Sequence, residues 1–172
     1  ACLYRLQDIN ATCVLGNHDQ ALVDGHYAKS LNPLARRSIL ISRDLVSPEH
    51  TEHLRRLPLR HVEHEGAFAH ANPIRPEEWQ HLYLHRDVVW CLDRLDWRLA
   101  FVGHTHQSGI FCRPGENGIV ALTSATVAIG DHRYLINVGS VGQPRDGDWR
   151  ACYAIWDVAA EHVSLHRVEY RL

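Results

Sequence analysis

The sequence predicts a single α/β domain, and three observations carry that expectation. Short apolar, β-branched runs alternate with stretches that open on helix start signals. Strand-like runs crowd toward the C-terminal half, and no repeat, low-complexity tract or linker interrupts the 172 residues. With 45% hydrophobic and 22% charged residues, the chain can bury a sizeable core.

Residues 2–7 read as the tail of a helix, with Leu3 and Leu6 three apart. Residues 11–15 (ATCVL) read as a buried strand ending at Gly16. Asn32 before Pro33 starts a helix that carries Leu34, Ile39 and Leu45. Ser47-Pro48-Glu49 starts another, which stops before Leu57-Pro58. Residues 59–64 and 67–70 are strand-like. A helical stretch follows from Pro76 to Leu95, broken near Arg86.

In that stretch Trp79, Tyr83 and Trp90 fall at helical spacing and are expected to pack on the sheet. They are also where stacking is to be sought if the substrate is a nucleotide. His81 and His85, four apart, are read as surface residues on one helix face. Residues 98–102 (RLAFV) form a strand, and residues 108–113 and 118–122 flank a hairpin turn at Pro114-Gly115-Glu116-Asn117. Residues 133–138 (RYLINV) form a strand, and residues 151–157 and 162–170 a terminal hairpin.

Composition excludes several function classes. Eighteen basic against twenty acidic residues leave a formal charge of −2, with no basic stripe for bulk nucleic-acid or anionic-membrane binding. No apolar run reaches the roughly 18 residues of a membrane helix. Five cysteines, never in C-x-x-C spacing, argue against a disulfide framework and for a reducing compartment, the cytoplasm. Lys29 is the single lysine and no Gly-rich loop precedes it, which excludes a P-loop. The chain holds no methionine and opens on Ala1, so the start of the natural protein is expected upstream.

Four predicted strands run into polar clusters: Gly16-Asn17-His18-Asp19, His70-Ala71-Asn72-Pro73, Gly103-His104-Thr105-His106 and Gly139-Ser140. Each alone reads as a turn. Together they repeat one grammar, and ligands of open α/β sheets bind beyond the carboxyl ends of the strands. Imidazoles, an amide, a carboxylate and a hydroxyl make a kit for metal-assisted hydrolysis. Arg145 is a candidate phosphate clamp, because a guanidinium suits bidentate phosphate recognition. Ser140 is a candidate to support the site or touch substrate. Arg75 reads as a solvated loop arginine.

Gly16-Asn17-His18-Asp19, His70 within A-H-A-N-P, and Gly103-His104-Thr105-His106, in this order, resemble the calcineurin-like metallophosphoesterases. Residues 137–148 (NVGSVGQPRDGD) are similar to the segment that follows in the compact bacterial subgroup, and the resemblance spans nearly the whole chain. It implies an αββα sandwich whose strand ends hold two divalent metal ions (Mn, Fe, Zn or Ni). By position, Asn17, His70 and His104 would bind one metal and His106 the other. His18 would hydrogen-bond the phosphoryl group and protonate the leaving group, and Asp19 would orient that loop. The substrate would be a phosphorylated small molecule, a nucleotide or a phosphoprotein.

The family's D-x-H and G-D-x-x-x-x-G motifs, expected upstream of Gly16, are absent from this sequence. Asp24-Gly25-His26 and Gly130-Asp131 are rejected as substitutes, because neither sits at the end of a strand. The expectation is therefore a sandwich lacking its first strands, with an unpaired sheet edge. The matched ligands carry no anionic bridge, so this chain is expected to bind metal weakly and turn over poorly. The alternative is a degenerate, non-catalytic scaffold or binding module of the same fold. A serine hydrolase fails because Gly139-Ser140-Val141-Gly142 lacks the G-x-S-x-G spacing and a following helix.

Overall fold

The computed structural model describes residues 2–115, 118–122 and 125–170. Two compact units divide the chain, Ala1–His61 and Val62–Leu172. The first holds α1 (Cys2–Asp8), α2 (Asn17–Val23), α3 (Pro33–Leu45) and α4 (Pro48–Arg55), with a small core of Ala21, Ala28 and Ile39 where α2 and α3 meet the 3-10 turn Tyr27–Ser30. The start signals act as expected. Asn32 Oδ1 accepts from Ala35 N at 2.9 Å, and Ser47 Oγ accepts from His50 N at 3.2 Å. Arg43 closes the far end of α2 by donating to the carbonyls of Leu22 and Ala21 at 3.0 and 3.2 Å.

Residues 11–15 form no strand, contrary to expectation. Leu15 N donates to Pro58 O at 2.8 Å, and Pro58, lacking an N–H, cannot return that bond.

The second unit stacks a helix on a sheet on a sheet. Its strands are β1 (Arg60–Glu63, which straddles the boundary), β2 (Gly66–Ala69), β3 (Leu99–Val102), β4 (Ser108–Arg113), β5 (Val120–Leu122), β6 (Thr126–Ala128), β7 (Arg133–Val138), β8 (Ala151–Asp157) and β9 (His162–Val168). One sheet runs β1-β2-β3-β7-β4-β5 and is mixed: β2, β3 and β7 are parallel, while β4 runs against β7 and β5 against β4. The other runs β6-β9-β8 and is antiparallel. Glu116 and Asn117 of the expected hairpin turn between β4 and β5 lie outside the described residues. β6, three residues long, was not anticipated.

Alternation along the central strands builds both faces. Leu99, Phe101, Ile110, Cys112, Tyr134 and Ile136 point to the small sheet and bury against Val127, Ile129 and Val163. Ala100, Val102 and Leu135 point the other way, onto Val88, Cys91 and Leu92 of α5 (His85–Arg94). The expected α/β class is thus present, with a mixed sheet and flanking helices.

The helical expectation for residues 76–95 holds only in part. A single 3-10 turn (Pro76–Glu78) ends where Trp79 adopts the left-handed conformation at φ 52°, and α5 starts only at His85. Residues 80–83 between them are neither helix nor strand, so His81 and His85 share no helix face. Among the described residues no helix is long and apolar enough to cross a membrane.

Candidate functional site

Because β2, β3 and β7 are parallel, their carboxyl ends open on one edge. Phe68 lies opposite Phe101, and Gly103 N donates to His70 O at 3.0 Å, so the ladder carries His70 to the side of the Gly103–His106 turn. There His70 Nε2 and His104 Nδ1 approach to 3.0 Å. His104 and His106 both sit at positive φ, 62° and 61°, a conformation uncommon outside glycine and found at strained, functional turns.

Buried polar side chains hold that turn. Asn137, at the end of β7, donates to Thr105 Oγ1 at 2.8 Å and Gly103 O at 3.2 Å, and accepts from Gly139 N at 3.1 Å. Asn72, fully buried, donates to Gln80 Oε1 at 2.8 Å and accepts from Ile74 N at 2.9 Å, which fixes the chain leading to His81. Gly139 stands at φ 73°, and a Cβ there would come within 2.9 Å of Cys152 Cβ, so only glycine fits.

Beyond this turn, residues 143–146 grip His106. Gln143 O lies 2.7 Å from His106 Nδ1, and Arg145 N donates to His106 O at 2.9 Å. A carbonyl on Nδ1 fixes the proton there and leaves Nε2 as a lone-pair donor. Asp146 anchors the loop through Ser108 and Arg167. The Arg145 guanidinium donates to Gln143 Oε1 at 2.9 Å, and Ser140 Oγ accepts from Gln143 N at 3.0 Å. Ser140 therefore shapes the loop backbone. Arg75 is occupied with Glu78 at 3.3 Å and lies over the Trp90 ring, consistent with a surface role.

In the first unit, Asn17 is buried at the first position of α2, and His18 beside it is exposed. Asp19 Oδ2 accepts from Gly16 N at 2.9 Å, a local bond across the first turn of α2. Burial raises its pKa, against the lowering effects of the Gly16 N–H and His18.

His81 is the residue the sequence reading missed. Its ring centroid lies 3.9 Å from that of His104, and Tyr83 lies alongside it. Burial, then the nearby His81, His70 and His106 rings, push the His104 pKa down to about 3. The ring is thus neutral at physiological pH, the form in which an imidazole binds metal. Among the described residues, buried His104 Nε2 meets no hydrogen-bond partner in good geometry, although the Trp79 backbone acts on the ring. The His70 and His104 imidazoles, with nitrogens 3.0 Å apart, fit a borderline divalent ion in chemistry. They fall short in number: among the described residues no three His, Cys, Asp or Glu side chains form a group that could hold a metal ion.

Comparison with known proteins identifies relatives that extend over nearly the whole chain. No protein-family profile matches it. An uncharacterised protein of Methanocaldococcus jannaschii is 34% identical over 174 residues, which cover 98% of this chain and 69% of that protein. The crystal structure of a metallophosphoesterase from Sphaerobacter thermophilus superposes with a TM-score of 0.83 at 33% identity, covering 99% of this chain and 71% of the other. A hypothetical protein of Pyrococcus horikoshii, at 16% identity and TM-score 0.71 over 99% of this chain and 68% of its own, shares the fold. Metallophosphoesterases use divalent metals, and the pair of imidazoles at the ends of β2 and β3, with His104 held neutral, is in keeping with that chemistry. By extended sequence and structural likeness, this chain belongs to the calcineurin-like metallophosphoesterase family.

Proposed function

We propose that the chain is a metal-dependent phosphoesterase acting on phosphomono- or phosphodiesters, dinucleoside polyphosphates included. The observation that carries this reading is the approach of His70 Nε2 and His104 Nδ1 at the ends of two parallel strands, with His104 held neutral. In this reading Asn17, His70 and His104 hold one divalent ion weakly, and His106 would join a second only alongside the anionic ligands that the family's D-x-H and G-D-x-x-x-x-G motifs supply. When bound, such an ion supplies Lewis acidity toward a phosphoryl oxygen and lowers the pKa of water. His18 donates a proton to the leaving oxygen, a task an imidazole N–H can perform. Asp19 keeps the Gly16 turn in place, and Arg145 neutralises the phosphate, with Ser140 supporting its loop. Five cysteines present as thiols suit the reducing cytoplasm.

A scaffold without catalysis is the second reading, favoured because among the described residues no three His, Cys, Asp or Glu side chains form a group that could hold a metal ion. Hydrolysis of p-nitrophenyl and bis-p-nitrophenyl phosphate with manganese separates the two. The enzyme reading expects slow, metal-dependent release that His104→Ala and His18→Ala each lower at least tenfold. Release without metal, or unaffected by both substitutions, overturns it, and no release at all favours the scaffold.

A further inference from the structure

The strap between the 3-10 turn and α5 presents two different sides. Side chains two apart on an extended chain share a side. Gln80 is tied to Asn72 at 2.8 Å, and Leu82 enters the core beneath α5. The odd-numbered residues do otherwise. Trp79 meets the His70 ring edge-on at 6.0 Å, and His81 lies against His104 at 3.9 Å. Tyr83 runs nearly parallel to His81, with centroids 5.8 Å apart and planes 16° from parallel, and 48% of its surface stays open. The strap thus buries an aliphatic residue and leaves rings outside in a row that begins at the imidazole pair. Arg145 is close enough for its charge to act on His81. Exposed rings beside a cation are the kind of surface on which nucleobases stack, and here His81 and Tyr83 are exposed and Trp79 half-buried.

We propose that Trp79, His81 and Tyr83 form a stacking wall for phosphoesters that carry a planar aromatic group, as nucleotides do, with Arg145 taking the phosphate. This rests on the phosphoesterase reading and narrows its substrate class. The wall holds the base, and the phosphate then lies toward His70 and His104. A phosphorylated sugar lacking the base has only the phosphate contacts.

Binding of adenosine 5′-monophosphate and ribose 5-phosphate to the intact chain, read by calorimetry and tryptophan fluorescence, tests the wall. The nucleotide is expected to bind roughly tenfold or more tightly than the sugar phosphate, the range for one stacked base. Tyr83→Ala should erase that preference and leave ribose 5-phosphate affinity within about twofold. Tyr83→Phe, which keeps the ring, should retain it. A merely structural Tyr83 would weaken both ligands together. Equal binding of the two ligands, a preference that survives in Tyr83→Ala, joint weakening, or no binding of either overturns the proposal. Manganese-dependent hydrolysis of bis-p-nitrophenyl phosphate, measured alongside, separates the two failures: a hydrolysing chain without nucleotide preference loses the wall alone, and a chain that hydrolyses nothing loses the phosphoesterase reading too.

Discussion

Replacing Asp146 by Asn removes the charge that closes the loop after β7. Asp146 Oδ2 accepts from Ser108 N at 3.0 Å, from Ser108 Oγ at 2.9 Å and from Arg167 Nη2. The two charged side chains are only 16% and 18% exposed, so solvent screens them little. Burial pushes the Asp146 carboxyl up, but Arg167 and the Ser108 donors outweigh it and hold the group well below the usual carboxylate range. An amide keeps an acceptor oxygen and loses the charge assistance. Arg167 retains Asp148 at 3.8 Å, which softens the loss. A hydrogen bond to a charged group contributes about 1.5–3 kcal/mol, and the retained partner sets the expected cost near about 2 kcal/mol. For a chain of this length that lowers Tm by about 4–8 °C at neutral pH.

The sign with pH follows from the depressed folded pKa. The stabilisation is fully present above the unfolded value of about 3.9 and is lost as pH falls from there toward the folded value. The gap in Tm between wild type and Asp146→Asn should therefore be widest at pH 6–7 and shrink steadily below about pH 4. Thermal melts followed by tryptophan fluorescence at pH 7, 5, 4 and 3 read it directly. A gap under about 1 °C at pH 7, or one that stays constant down to pH 3, would refute the reasoning.

Gly139→Ala forces a Cβ into a residue at φ 73° and within 2.9 Å of Cys152 Cβ, so the urea midpoint should fall by the equivalent of about 2 kcal/mol or more with the slope unchanged. Asn137→Ala unties Thr105, Gly103 and Gly139 at once. It should cost about 1–3 kcal/mol and speed amide exchange at Gly139.

Much of this architecture was legible because it is local. Asn32-Pro33 and Ser47-Pro48 announce helices through chemistry confined to one turn, and both caps form. The apolar run in residues 133–138 matches β7, buried along most of its length, and the alternation in the terminal hairpin matches β8 and β9. The strap at residues 79–84 misled for the same reason. Trp79, Leu82 and Tyr83 are spaced like a helix face, yet buried Asn72, eight residues before its partner Gln80, holds the strap open. Residues 11–15 look like a strand, and whether a strand finds a partner is a tertiary matter that its own letters do not carry. His70 and His104 were found from motif and position. His81 was not, since its nearness to His104 depends on the strap conformation.

The most direct test of the account is divalent-metal binding to this chain, measured by calorimetry and by metal content after dialysis. The account predicts one manganese or zinc ion held weakly, with the heat of binding abolished in both His70→Ala and His104→Ala while their folds, read by circular dichroism, persist. Two tightly held ions, or binding that survives loss of both imidazoles, would contradict it.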